Sequence, residues 1–255
     1  MGEMVSFTGN GGTSEGYLAI PSGGAASPAV IVIQDWWGLV PHVRAVVDRF
    51  AEAGFVALAP DFRHGGPASK PSEPRQMLNS TQMDEAASDI AAAAEYLANR
   101  PEVAGKVGCA GFCAGASLAL WSGTFSERIV ATAGFYPRLP WEGMPTGAAD
   151  DAGRTGAADN AGRTGAADNA GRTDWAGYAG KAALVHCSEA DGLSAADGVQ
   201  SVRRAIEAAG GTCQTYDYPG TAHAFFNEDR PEHFDQRAAA TAWARTLELF
   251  RAKLG

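Results

Sequence analysis

The chain reads as an α/β fold, a mostly parallel central sheet with helices on both faces. Three observations point there. Short apolar runs alternate with longer helix-like stretches along most of the 255 residues, the pattern of strands joined by crossover helices. The run Ala29 to Ile33 is continuously apolar, as a strand buried on both faces requires. A cysteine between glycines, Gly111-Phe112-Cys113-Ala114-Gly115, lies between a strand pattern and a helix pattern. At this length one unit can hold a sizeable core, and the chain is read as a single domain over 1–255.

Taken in order, Met4 to Thr8 and Tyr17 to Ile20 flank Asn10-Gly11-Gly12, which suits a hairpin. After Ala29 to Ile33, a helix is expected over 41–53, with Pro41 in its first turn and Gly54 at its stop. Phe55 to Ala59 is the next strand, closed by Pro60. Residues 63–75 are rich in Gly, Pro and Ser and read as a loop. Asp84 to Asn99 is an alanine-rich helix stopped by Pro101, Lys106 to Ala110 a strand, and Ala114 to Ser122 a helix. Ile129 to Tyr136, Ala182 to Cys187 and Thr212 to Tyr218 are three further strands. Helices at about 195–209 and 232–252 complete the alternation.

One segment departs from it. Residues 147–173 are three tandem nonapeptides, Gly-Ala-Ala-Asp-Asp-Ala-Gly-Arg-Thr and then Gly-Ala-Ala-Asp-Asn-Ala-Gly-Arg-Thr twice. With nothing more apolar than alanine, they cannot bury enough surface to offset their ordering entropy. They read as a low-complexity inserted loop near the rim of the sheet.

Composition narrows the function. Net charge is −9 and the pI about 5.0, which argues against general nucleic-acid binding. No apolar run approaches the ~18 residues of a membrane helix, and the first residues carry neither the basic segment nor the apolar core of a secretory signal. Cysteines stand at 109, 113, 187 and 213, without a Cys-x-x-Cys pair or a His/Cys ligand spacing. Reduced thiols in a cytoplasm are expected, with no metal and no membrane partner.

The cysteine motif carries the chemistry. Gly111-Phe112-Cys113-Ala114-Gly115 is the nucleophile elbow Gly-x-Ser-x-Gly with cysteine in the serine position. A nucleophile on a tight strand-to-helix turn needs small neighbours, because the backbone doubles back on itself. The helix start behind it favours negative charge, which lowers the thiol pKa and steadies an oxyanion. The Ala114 N–H is then one oxyanion donor. The other cysteines read as core.

Such an elbow takes an acid and a histidine further along the chain. Downstream lie His186, His223 and His233. His186 falls inside an apolar strand and His233 on an expected surface helix, whereas His223 follows the last strand, at the sheet edge where open α/β folds bind ligands. His223 is the candidate base. Ser188-Glu189-Ala190-Asp191-Gly192 supplies the acid; Asp191 is the better candidate and Glu189 the alternative. Gln34-Asp35-Trp36-Trp37-Gly38, after an early strand, offers the Trp36 N–H as second oxyanion donor. Trp37, and Tyr136 at the end of its own strand, are positioned to wall a pocket.

Together these residues resemble the dienelactone hydrolase family, within the α/β-hydrolase fold. The resemblance rests on Gln34-Asp35-Trp36-Trp37-Gly38, Ala59-Pro60-Asp61, the Cys113 elbow, Asp191 and His223-Ala224-Phe225-Phe226. It implies a cofactor-free cytoplasmic enzyme opening a carboxylate-bearing unsaturated lactone, the small-molecule partner. It implies a glutamate that holds the resting thiol away from the histidine; Asp35 stands at that place, one methylene shorter. It implies arginines that grip the substrate carboxylate, for which Arg230 and Arg75 are the matches. A general carboxylesterase or thioesterase on the same triad, and a catalytically silent binding protein, are the rival readings. A redox role for Cys113 lacks an obvious resolving cysteine.

Overall fold

A computed structural model describes residues 1–9, 12–35, 37–62, 80–139 and 175–255. Trp36, Arg75 and the repeats at 147–173 lie outside the described residues. Eight strands form one sheet in the order β1-β2-β4-β3-β5-β6-β7-β8: β1 Glu3–Gly9, β2 Gly12–Ala19, β3 Ser27–Ile33, β4 Val56–Pro60, β5 Val103–Phe112, β6 Ile129–Phe135, β7 Ala182–Ser188 and β8 Thr212–Tyr218. The β1–β2 and β2–β4 pairs are antiparallel, and every pair from β4 through β8 is parallel. The mostly parallel sheet expected from the alternation is therefore present, with an antiparallel hairpin at one edge.

Among the described residues, five α-helices cover the sheet: α1 Pro41–Glu52, α2 Ser80–Ala98, α3 Ala114–Phe125, α4 Gly192–Ala208 and α5 Gln236–Leu254. Strand alternation divides the core in two. Ala29, Ile31 and Ile33 of β3 join Ile90, Leu97, Leu118, Val202 and Ile206, residues of α2, α3 and α4. Val30 and Val32 point the other way, to Val43, Val47, Phe50, Phe250 and Leu254 of α1 and α5. Both faces of β3 are thus covered, which is why its sequence is apolar without interruption. α3 is buried along Ala114 to Gly123, so it shows no polar face either.

Several element ends differ from expectation: β2 begins at Gly12, inside the expected turn, β4 takes in Pro60, and β5 runs from Val103 to Phe112, beyond the expected Lys106 to Ala110 at both ends. α2 begins at Ser80, four residues before the expected Asp84. α5 begins at Gln236, because the Asp235 carboxylate accepts the Ala238 N–H at 2.8 Å and caps the helix there, an interaction worth about 1 kcal/mol. His233 therefore lies in a turn before the helix and not on it. β6 ends at Phe135, since Tyr136 turns to φ 42°. No described helix is long and apolar enough to cross a membrane.

Candidate active site

The carboxyl ends of β3, β5, β6, β7 and β8 converge at one edge of the sheet, and each contributes a side chain there. β5 stops at Phe112, α3 starts at Ala114, and Cys113 between them adopts φ 55° and ψ −117°. A non-glycine residue there stores roughly 1–3 kcal/mol of strain. The surroundings hold it: the Cys113 N–H donates to the Phe135 carbonyl at 3.0 Å, and its own carbonyl accepts from Ala116 N–H at 3.1 Å. The flanking glycines are required sterically. A Cβ on Gly111 would strike the Gly115 carbonyl, and one on Gly115 would strike the Gln34 carbonyl. Ala114 occupies the first position of α3, where backbone N–H groups have no intrahelical acceptor.

Cys113 is 6% exposed, and His223 reaches it from the loop after β8. The imidazole Nε2 lies 3.1 Å from the Cys113 sulfur, while Nδ1 lies 2.6 Å from Asp191 Oδ1. Asp191 ends a short 3₁₀ turn, Glu189–Asp191, directly after β7. Its second oxygen accepts from the Ser188 hydroxyl. Glu189, the alternative acid, faces elsewhere: its carboxylate accepts the Gly220 N–H, and Ala190 N–H donates to the Thr221 carbonyl at 3.2 Å. Those bonds join the loop carrying the acid to the loop carrying the histidine.

Charge follows from these contacts. Burial works against a Cys113 thiolate, but the hydrogen bond and charge of His223, with the Arg138 side chain adding to both, hold the thiol below its ordinary value. Burial would also lower His223, yet its bonds to Asp191 and Cys113 raise it to about 9. Both shifts favour thiolate beside imidazolium. The other three thiols go the opposite way, with burial foremost in pushing Cys109, Cys187 and Cys213 up to about 12.

Further residues line the edge. Asp35 follows β3, and its Oδ1 accepts the Trp37 N–H at 3.0 Å. Burial raises its carboxyl against the opposing effects of that N–H, Arg230 and His223. The Arg230 guanidinium lies 5.6 Å from the centre of the Trp37 ring. Tyr136 is buried with its ring edge-on to His223, centroids 5.0 Å apart. The structure thus brings Cys113, Ala114, Asp191, His223, Asp35, Trp37, Tyr136 and Arg230 to one edge. His186 is elsewhere, bonded to Tyr218 and Thr246 beneath the surface, and His233 is beside Glu232. Sequence reasoning missed Arg138; its signal was position, two residues beyond Tyr136 where β6 leaves the sheet.

Against known proteins, residues 14–254 match the model of the dienelactone hydrolase family. The chain belongs to that family. It is accordingly a carboxylic-ester hydrolase, and the family acts on small-molecule lactones and esters. The chain is 30% identical to protein usf of Aquifex pyrophilus, over 100% of both chains. It is 27% identical to a carboxymethylenebutenolidase of Pseudomonas putida over 53% of this chain and 58% of the other. In three dimensions it resembles a dienelactone hydrolase-like promiscuous phosphotriesterase from metagenomic libraries, with TM-score 0.74 and 20% identity over 100% and 99% of the two chains. That likeness concerns the α/β-hydrolase fold.

Proposed function

We propose that this member opens a carboxylate-bearing lactone or ester through a thioester on Cys113. The carrying observation is the position of His223, which touches the Cys113 sulfur with one ring nitrogen and Asp191 with the other. In the first half-reaction the thiolate attacks the carbonyl carbon and the carbonyl electrons move to oxygen. The N–H groups of Trp36 and Ala114 hold that oxyanion, a contribution of roughly 3–4 kcal/mol per donor in comparable sites. Collapse forms the thioester and expels the ring or alcohol oxygen, which takes the proton from His223 Nε2. In the second half a water gives its proton to His223 and attacks the thioester carbon, releasing the acid and restoring the thiolate. Asp191 keeps the imidazole oriented and stabilises its positive form throughout.

Arg230 and Arg75 take the substrate carboxylate, and Trp37 and Tyr136 wall the pocket. Asp35 stands in for the family's restraining glutamate, but its bond to the Trp37 N–H and the short Cys113–His223 approach support a weaker restraint. The same approach favours a second reading, a carboxylesterase or thioesterase of wider scope, because the thiol needs no substrate to bring it to the base. The free thiols fit a reducing cytoplasm. The test compares hydrolysis of a dienelactone with that of a plain aryl ester, with Cys113→Ala as control. Lactone preference lost in the variant supports the reading; equal turnover favours the broader esterase, and turnover surviving in Cys113→Ala overturns the thioester.

A further inference from the structure

Ser188 and Asp191 stand at the starts of two helical segments, and neither side chain does what that place usually asks of it. Ser188 closes β7 and precedes the 3₁₀ turn Glu189–Asp191, and Asp191 in turn precedes α4. Serine and aspartate at such positions ordinarily accept a backbone N–H of the first turn. Here neither side chain makes a capping bond. The Ser188 hydroxyl donates instead to Asp191 Oδ2, while Asp191 Oδ1 faces His223 Nδ1 at 2.6 Å. Ser188 is 6% exposed, so little water competes for its hydroxyl.

The backbone around this pair is fixed by other bonds. Ser188 is in register with Tyr218, so the loops carrying the acid and the histidine leave the sheet at one level. The Glu189 carboxylate accepts the Gly220 N–H, and the Ala190 N–H donates to the Thr221 carbonyl. The Thr221 hydroxyl donates to the Tyr218 carbonyl at 2.6 Å. None of these bonds sets the torsions of the Asp191 side chain. A carboxylate held at one oxygen can swing about that contact; held at both, it is fixed as a plane.

We propose that Ser188 is a positioning residue of this site, its hydroxyl holding the second oxygen of Asp191 so that the first stays on His223 while the imidazole gives and takes its proton. The proposal rests on the Cys113, His223 and Asp191 reading above. The Asp191 side chain is 16% exposed, enough for water to compete for an oxygen that has lost its donor. Without the hydroxyl, Oδ2 turns to water and to the positive start of α4, and Oδ1 loosens from Nδ1. The imidazole then loses its orientation and part of the charge that holds its protonated form. Because the bond is made to Asp191, the effect falls on kcat and not on KM.

The test is Ser188→Ala, read as kcat and KM for an aryl ester and as the His223 imidazole titration followed by nuclear magnetic resonance. The variant lowers kcat by about tenfold, the size of one bond to a charged group, leaves KM within about twofold, and moves the His223 titration down from about 9. Ser188→Thr keeps the hydroxyl and retains the native values. Other groups also face the imidazole: Cys113 after β5, the Tyr136 ring after β6 and Asp35 after β3. A double-mutant cycle with Asp191→Asn separates Ser188 from these, since a residue acting through Asp191 has little left to act on once the charge is gone. In the Asp191→Asn protein, adding Ser188→Ala changes kcat by less than about twofold. Native kcat and titration in Ser188→Ala overturn the proposal, and so does the full drop repeated in the Asp191→Asn background. The titration needs no turnover, so the two readings fail separately. A shifted titration in Ser188→Ala, with no ester hydrolysed by the native protein, supports the positioning role and counts against the hydrolytic reading alone.

Discussion

Two histidines of this molecule, His223 and His186, both have each ring nitrogen hydrogen-bonded, and they behave as opposites. His223 lies between Asp191 at 2.6 Å and the Cys113 sulfur at 3.1 Å. His186 lies between the Tyr218 hydroxyl at 2.9 Å and the Thr246 hydroxyl at 3.0 Å. Burial lowers both, but the charged partners of His223 raise it to about 9, while His186, with only neutral hydroxyls on its ring and Arg245 nearby, falls to about 3. Completeness of hydrogen bonding therefore does not distinguish the candidate base from a structural histidine. The charge of its partners does. The bonding around His186 also fixes its tautomer: Thr246 donates its own proton to the Ala242 carbonyl, so Nε2 carries the ring proton and Nδ1 accepts from Tyr218.

The comparison can be broken by substitution. Replacing His223 with alanine removes the proposed base and partner of the thiolate, and kcat/KM for any ester substrate is expected to fall by at least about 10³-fold. Asp191→Asn keeps the shape but withdraws the charge that holds the imidazolium; kcat drops by roughly 10³ to 10⁴-fold, and the His223 titration moves down from about 9. Steady-state kinetics over a pH series measure both. His186→Leu acts on stability instead. It leaves the Tyr218 and Thr246 hydroxyls without their ring partner, costing about 2–4 kcal/mol in denaturant unfolding, with turnover by the folded fraction little changed. Equal losses of activity in His186→Leu and His223→Ala would erase the distinction.

pH sharpens it further. An unfolded chain binds a proton at His186 and His42 near the ordinary 6.5, whereas the folded values are about 3 and about 4, set chiefly by burial. Their contribution is complete above 6.5 and is lost as pH falls through the folded values, so Tm declines on acidification. His223 has the reverse sign. Its folded value of about 9 lies above the ordinary one, so its contribution is complete below 6.5 and disappears as pH rises through 9. Cys113→Ala removes one of the partners that raise it and makes the alkaline decline shallower; thermal melts over a pH series read this smaller effect.

Much of this architecture was legible from residue order. The β8 limits, Thr212 to Tyr218, coincide with expectation because flanking Gly210-Gly211 and Pro219-Gly220 punctuate that strand. The elbow was equally plain as a motif, although only Gly111 answers a steric demand from within it, the Gly115 carbonyl, while Gly115 makes room for the Gln34 carbonyl across the fold. What the sequence left open depends on contacts across the fold. Asp191 and Glu189 differ only in which way a 3₁₀ turn sends them, one to His223 and the other to Gly220. Arg138 carries no periodic or motif signal; its place comes from a turn at Tyr136 and a bond from Ser117, 21 positions away. The start of α5 was misplaced because the Asp235 cap competes with a helical pattern that runs on upstream.

The central claim is that Cys113 rests as a thiolate paired with His223. Its most direct test is ultraviolet thiolate absorbance as a function of pH, in the native enzyme, in Cys113→Ala and in His223→Ala. The account predicts a thiolate at neutral pH that vanishes in Cys113→Ala and, in His223→Ala, forms only at higher pH. A native thiol that ionises no lower than an ordinary cysteine, or a titration indifferent to His223, would contradict it.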